Sequence, residues 1–451
     1  MRYSYSWTYL LLASGLLLLP TPLSGQQTGS PKNSWREWSA ANRVWLQEQV
    51  APNRRVPNPH PTRRRLLLSY DVSPEEFPYS FTRSATYDNA LAALAFFITG
   101  ETDAAAFTLH AMARLIRPNG GLWFSYNTGN TWPDEGYHES AIVRAGAVAW
   151  VGYAFTFYLA HSPPCAADDR GCARERDFFL RTAVRLANHL SSLQVVDTTD
   201  PRYGLLRLGY ATIELEYQRE SRQVAEVYLE EPALGISAEN NISAWFFLRQ
   251  LAELTEEPLW SEAADRIRYG LLRGAWNDDM GQFNRGFHSW GEPDPVKALD
   301  CASWGVAFLL AAGETEKAGK ALEAVERYYR SRDGDAVGYR PYSDHPIFKT
   351  EEVGRHFFPD DPRKQWRDLP LVWSEGTLGV ALAYLRMGQT QRARQVVEKL
   401  RSLQVEASGM RYASRNVPYQ MAEAPSVAAS AWLVLVTEAM AGNPLAEGFF
   451  R

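Results

Sequence analysis

A chain of 451 residues is long enough for one large domain or two to three ordinary ones. With 45% hydrophobic residues it can fill a sizeable core, which excludes a disordered chain, and a formal net charge of −5 gives no overall reason to expect nucleic acid or an anionic membrane as partner. Fifteen Trp and twenty-two Tyr are many for this length, and a larger core explains that excess at least as readily as sugar stacking does.

The first 25 residues read as a signal peptide: one positive charge at Arg2, an apolar run from Tyr9 to Leu19, then Pro20, Pro22 and small residues near Ser24 and Gly25. The run is too short to span a bilayer comfortably and no second one follows, so the expectation is a secreted or periplasmic protein with no membrane span after cleavage. An uncleaved anchor is the alternative. Residues 26–69 form a Pro- and Arg-rich arm, a helix around Trp35 to Gln49 followed by NRRVPNPHPTRRR, read as a solvated basic segment. Cys165 and Cys172 flank a short polar loop and can pair in an oxidising compartment, whereas Cys301 sits in an apolar helix as an inert thiol. The eight His show no metal pattern, and nothing in the chain calls for a metal or a cofactor.

From about residue 70 to the end a unit recurs. YDNALAALAFFITGET is an apolar helix ending in a turn, DAAAFTLHAMARLI a second and more amphipathic helix, NGGLWFSY an aromatic turn. The unit returns as ALDCASWGVAFLLAAGET, EKAGKALEAVERYYRS and GDAVGYRPY, and again as VWSEGTLGVALAYLRMGQT, QRARQVVEKLRSL and SGMRYAS. AENNISAWFFLRQLAELTEE with SEAADRIRYGLLRGAW and GQFNRGF fits the same template, and YHESAIVRAGAVAWVGYAFTFYLAH and APSVAASAWLVLVTEAMAG look like two more first helices. First helices apolar all round belong inside, and second helices with a charged face belong outside. Six such hairpins close naturally into an all-α (α/α)6 toroid, with a possible inserted β-hairpin near 208–232. The motifs YDNALAA, AENNISAW, ALDCASWG and WSEGTLGVALA, with the GGLW and GYRPY turns, resemble the six-hairpin glycosidase superfamily over roughly Ser69 to Ala441. That resemblance implies an (α/α)6 barrel that processes carbohydrate, mostly with inversion, and identifies no single family.

Asp88, Glu139, Glu239, Asp300, Glu375 and Glu423 lie at or just before the six starts. In parallel helices these acids would converge on one cavity. There the helix ends favour the ionised form and neighbouring carboxylates oppose it, a tension that suits a glycosidase with one acid protonated and one ionised. For any single acid, an ordinary helix-start residue is at least an even alternative. Glu239 or Glu135, in the loop WPDEGYHES, is the expected general acid, with Asp88, Asp300 or Glu375 ionised and activating water. Tyr87, Trp123, Tyr126, Trp132, Asn240, Asn241, Trp304, Tyr339 and Trp373 are the candidate substrate contacts, with Tyr342 a further stacking aromatic. Asn241 also begins a glycosylation acceptor, a match expected by chance.

The function expected is hydrolysis of a poly- or oligosaccharide. The alternatives are a non-catalytic glycan-binding or polysaccharide-assembly protein, a lyase drawing on His138, Arg340 and His345, or a sugar isomerase. The sequence does not give the sugar, its linkage, endo or exo action, or the oligomeric state.

Overall fold

The computed structural model describes residues 31–78, 80–133, 141–218, 223–346, 348, 350–417 and 421–451. Among the described residues thirteen α-helices of eight residues or more carry the fold: α1 (Pro31–Glu48), α2 (Thr86–Ile98), α3 (Thr102–Ala113), α4 (Ala145–His161), α5 (Arg170–Leu193), α6 (Ala238–Thr255), α7 (Pro258–Gly270), α8 (Leu299–Ala311), α9 (Thr315–Tyr328), α10 (Thr350–Phe357), α11 (Ser374–Arg386), α12 (Thr390–Glu398) and α13 (Val427–Met440). Small antiparallel sheets lie between them.

The two helix types separate by burial as their polarity requires. In α4 every residue from Ala145 to Leu159 is buried, because no face of it is polar. In α9 only Ala318, Ala321, Leu322, Ala324 and Val325 are buried, one stripe of a charged helix. The turns α2–α3, α8–α9 and α11–α12 are copies of one another: Gly100, Gly313 and Gly388 all lie in the left-handed region, at φ +84°, +82° and +73°, where a side chain would be strained.

Packing among the buried helices is cyclic. α2 contacts α4, α4 contacts α6, and the series continues through α8, α11 and α13 back to α2. Trp150, Trp304 and Trp432 each follow the start of α4, α8 and α13 by five residues, and their ring centroids lie 5.4, 5.7 and 6.1 Å apart. Alternate helices of the cycle therefore reach the axis at one level and run the same way. Beyond the three indoles the axis is filled by the chain's own end. Phe450 stacks on Phe246 at 4.4 Å and on Phe449 at 4.5 Å, and its N–H donates to the Tyr153 hydroxyl.

Residues 31–69 are integrated rather than solvated. α1 packs on α13, and Leu66, Leu67 and Leu68 are buried. Arg63 is buried as well, donating to the Thr131 carbonyl at 2.9 Å and lying over the Tyr126 ring at 4.9 Å. The alternation near 208–232 is a hairpin of Arg207–Gln218 and Gln223–Ser237, in a five-stranded sheet with Val143–Arg144, Gly286–Phe287 and Pro293–Asp294. α4 starts later than YHES suggests, because Val143 and Arg144 pair with Tyr210 and Gly209 as a strand first. A segment with no expected element, residues 343–371, holds α10 and a small core of Phe348, Val353, Trp366, Leu369 and Leu371 against Ala413 and Val417. Cys165 and Cys172 are joined, and Cys301 is buried. Among the described residues no helix is long and apolar enough to cross a membrane.

Candidate active site

Four of the six inner helices carry an acid in the first turn: Asp88 in α2, Glu239 in α6, Asp300 in α8 and Glu375 in α11. None of them caps its helix. The starts of α2, α8 and α11 have no side-chain cap, and α6 is capped by Ser237. An ordinary first-turn acid points to bulk water. Here Asp88 and Glu375 are buried, and Glu239 and Asp300 keep only part of their surface open.

The four acids form one electrostatic unit. Burial pushes the Glu239 carboxyl up to about 8, with the charge of Glu375 adding to it. Burial likewise takes Glu375 to about 8, opposed by hydrogen bonds from Tyr87 and Tyr412 and reinforced by Asp300 and Asp88. Asp300 is held well above its ordinary range by burial and by Glu239. Asp88 is raised to about 7 by burial, tempered by the Ser69 hydroxyl and by Arg83. Charges that shift one another this way share a low-dielectric space.

Tyr87 organises that space. Its hydroxyl donates to Glu375 Oε1 at 2.5 Å and accepts from Trp432 Nε1 at 2.8 Å, while its ring meets Trp150 edge-on at 5.2 Å. One phenol on α2 thereby links α11 and α13 across the cycle. Tyr342 and Arg285 complete the surroundings: burial takes the Tyr342 phenol up to about 12, moderated by Arg285 and reinforced by Asp300. Tyr87, Glu239, Arg285, Asp300, Tyr342 and Tyr412 are each half-buried, so the group is not wholly sealed in the core. Asp300 Oδ1, Ser303 Oγ, Trp373 Nε1 and Ser374 Oγ are buried without a hydrogen-bond partner among the described residues. Two cavities of about 330 and 430 Å³ lie elsewhere, around Arg330, Val337 and Lys399, and include none of the acids. The smaller is lined by Glu326, Tyr339 and Tyr384, where both phenols bond one carboxylate oxygen and are raised by burial and by Glu326.

The other expected residues divide. Trp373, at the start of α11, is buried and lies edge-on to Tyr412 at 6.2 Å, so it flanks the acids. Trp123 is half-buried beside Tyr126, and Trp132 is 58% exposed on the surface. Asn240 packs on Gly146 of α4. Asn241 is fully buried and spent on backbone: it accepts from Leu206 N–H at 2.7 Å and donates to the carbonyls of Leu206 and Ser237. It binds no sugar and is closed to glycosylation. Asn89 does the same work at α2, holding Leu67 N–H. Trp304 belongs to the axial indole stack, Tyr126 is buried under Arg63, and Tyr339 donates to Glu326, so these three are packing residues and not stacking platforms. Aromatic side chains in apolar turns fill space unless a polar edge stays wet. Glu135 and Glu139 lie outside the described residues. Glu423 is an exposed partner of Arg411 at 2.8 Å, because α13 begins only at Val427 with Ser426 as its cap.

The residues that lyase chemistry would need are elsewhere. Arg340 donates to the Trp366 carbonyl and to Ser331, and His345 stacks on Phe348 at 4.5 Å. His138 is outside the described residues, and among those described no histidine influences the four carboxyls. Arg285, Tyr412, Ser69 and Trp432 were given no role from sequence. The turn motifs GQFNRGF and SGMRYAS contain the first two, and only the tertiary fold shows which way they face.

No family model and no curated protein matches the chain. Solved structures do share the fold. A GH63 mannosylglycerate hydrolase from Thermus thermophilus, in complex with glucose, aligns with a TM-score of 0.55 at 14% identity over 89% of this chain and 99% of its own. An uncharacterized conserved protein of the same organism gives 0.56 at 15%, over 88% and 99%. A D-mannose isomerase gives 0.56 at 8%, over 92% and 100%. At 15% identity or less, these likenesses are likenesses of fold alone.

Proposed function

We propose that the chain is a secreted glycoside hydrolase on an (α/α)6 toroid, acting on a poly- or oligosaccharide through paired carboxyl groups of the inner helix starts. The observation that carries the reading is the placing of Asp88, Glu239, Asp300 and Glu375 at four inner helix starts, where burial raises all four carboxyls and Tyr87 bonds Glu375. Glu375 is assigned the ionised role. It is the acid that two phenols hydrogen-bond, and donors to a carboxylate favour its charged form. Glu239 is assigned the protonated role, because burial and the Glu375 charge act on it with no opposing donor.

In the reaction Glu375 takes a proton from water as the water attacks the anomeric carbon. The glycosidic C–O bond breaks, and Glu239 gives its proton to the departing oxygen. Asp300, kept protonated by burial and still partly open, is the group left to hold a sugar hydroxyl. Water-mediated inversion is the course the superfamily resemblance implies. The joined Cys165 and Cys172 and the apolar leader favour a secreted or periplasmic site.

The test is reducing-sugar release by the mature protein over a polysaccharide panel, with the anomer of the first product read by NMR. Hydrolysis should be abolished in Glu375→Gln and Glu239→Gln while glycan binding persists, and Glu135→Gln is the parallel control for the loop acid. No release by the wild type on any polysaccharide would favour the non-catalytic glycan-binding alternative, and an unsaturated, ultraviolet-absorbing product would favour a lyase.

A further inference from the structure

The sheet beside α6 runs outward from the helix start that holds Glu239. Ala238 N–H, at the start of α6, donates to the Arg285 carbonyl at 2.8 Å. From Arg285 the chain runs antiparallel to strand 223–237, pairing Gly286 with Ser237 and Phe287 with Ile236, and so moves away from the helix start that holds Glu239. It turns over at 288–292 and returns through Pro293–Asp294. Trp290 is at the tip of that turn, beyond the roughly 7 Å that the two extended steps from Gly286 to His288 cover.

Trp290 is 66% exposed, yet it is held in place. One face is covered by His288, with ring centroids 4.4 Å apart and planes 3° from parallel. Its Nε1–H donates to Glu292 Oε2 at 2.9 Å, which sets the rotation of the ring. The turn is closed by His288 N–H on the Glu292 carbonyl and by Gly291 at φ +96°. Beneath it, Arg202 ties the Ser289 and Leu234 carbonyls together, and Asp200 holds Arg202 at 2.8 Å. An exposed apolar side chain by itself signifies nothing. An indole fixed at its edge, backed on one face and open on the other, has already given up the rotamer freedom that binding would remove. Its open face suits the apolar face of a pyranose ring, and the adjacent Glu292 is an acceptor for sugar hydroxyls.

We propose that Trp290 is a distal sugar-binding platform, and that the preferred substrate is a glycan several units long, reaching from the helix starts that hold Glu239 and Glu375 to this indole. The inference rests on the hydrolase reading for the substrate's placement, but the platform can be tested apart from it. One arm compares Trp290→Ala with the wild type on a hexasaccharide and on the p-nitrophenyl glycoside of the same sugar, from whichever series the wild type cleaves. The platform predicts roughly a ten-fold loss of kcat/KM on the hexasaccharide and no change on the short glycoside, with most of the loss restored in Trp290→Phe. Equal rates on both substrates would leave hydrolysis intact and overturn the platform.

The second arm needs no turnover. Protein carrying 5-fluorotryptophan gives a ¹⁹F signal for Trp290, assigned by its disappearance in Trp290→Phe, and is titrated with cellohexaose, maltohexaose, xylohexaose and chitohexaose. If the wild type cleaves nothing but the Trp290 signal moves with one of these, the platform stands and the hydrolase reading falls. A signal unmoved by all four, together with no cleavage, overturns the platform.

Discussion

Tyr87→Phe should shift the acid limb of the kcat/KM profile upward and leave the fold in place. The variant deletes one oxygen, the donor to Glu375 Oε1 at 2.5 Å. A hydrogen bond to a charged group contributes about 1.5–3 kcal/mol, and at 1.36 kcal/mol per pKa unit its loss moves Glu375 up by about one to two units. The sign follows from which form is favoured: a donor stabilises the carboxylate, so without it the carboxyl holds its proton to higher pH. Starting from about 8, the limb should climb, narrowing the profile and lowering kcat/KM at pH 7 by about 10- to 100-fold. The Trp432 Nε1–H also loses its acceptor, so the variant should lose about 1–3 kcal/mol of stability, and rates are to be measured well below its melting temperature. The assay is kcat/KM on the best substrate of the panel at half-unit intervals from pH 4 to 10. A uniform drop in activity with the limb unmoved would mean that Tyr87 does not act through Glu375.

Three further outcomes follow from the same geometry. Because Asp88, Glu239 and Glu375 have folded-state pKa values raised to about 7–8, the stability they contribute is fully present below their unfolded values near 4 and is lost as pH rises through 7–8. Glu239→Gln, which mimics the protonated acid, should therefore raise the melting temperature more at pH 8 than at pH 5, and an equal change at both would contradict the assigned shift. Asn241→Ala strips the buried Leu206 N–H and two carbonyls of their partner and should cost about 2–4 kcal/mol in chemical denaturation, whereas a loss of substrate affinity without a loss of stability would return Asn241 to the binding surface. Gly152→Ala puts a Cβ about 2.3 Å from the Phe247 ring where α4 meets α6, and should destabilise by about 1–3 kcal/mol, read in the same way.

What the sequence showed and what it hid divide along physical lines. The α2–α3, α8–α9 and α11–α12 hairpins were legible because an all-apolar helix, a left-handed glycine and an amphipathic helix leave a strong local pattern. The four first-turn acids were legible for the same reason. Glu423 was misjudged because a two- or three-residue extended approach to a helix leaves no periodicity, so an acid before the approach looks like one at the helix start. The roles of aromatic residues were the least legible. Nothing local separates Tyr87, whose hydroxyl meets Glu375 at an inner helix start, from Tyr126, which lies under Arg63, or Tyr339, whose hydroxyl goes to Glu326 on the outer helix α9. Similarly, α1 carries no mark that it would cover α13, and the 343–371 segment builds its small core against residues far along the chain.

Carboxyl titration followed by ¹³C NMR, in protein labelled at Glu Cδ, asks the structure its most searching question. Two glutamates should titrate near pH 8 and disappear one at a time in Glu239→Gln and Glu375→Gln, with the survivor in each variant moving to lower pH once its neighbour's charge is gone. If every glutamate titrates below about pH 5.5, or if the two variants leave each other's resonance untouched, the helix starts do not share a site and no acid–base pair exists there to cleave a glycoside.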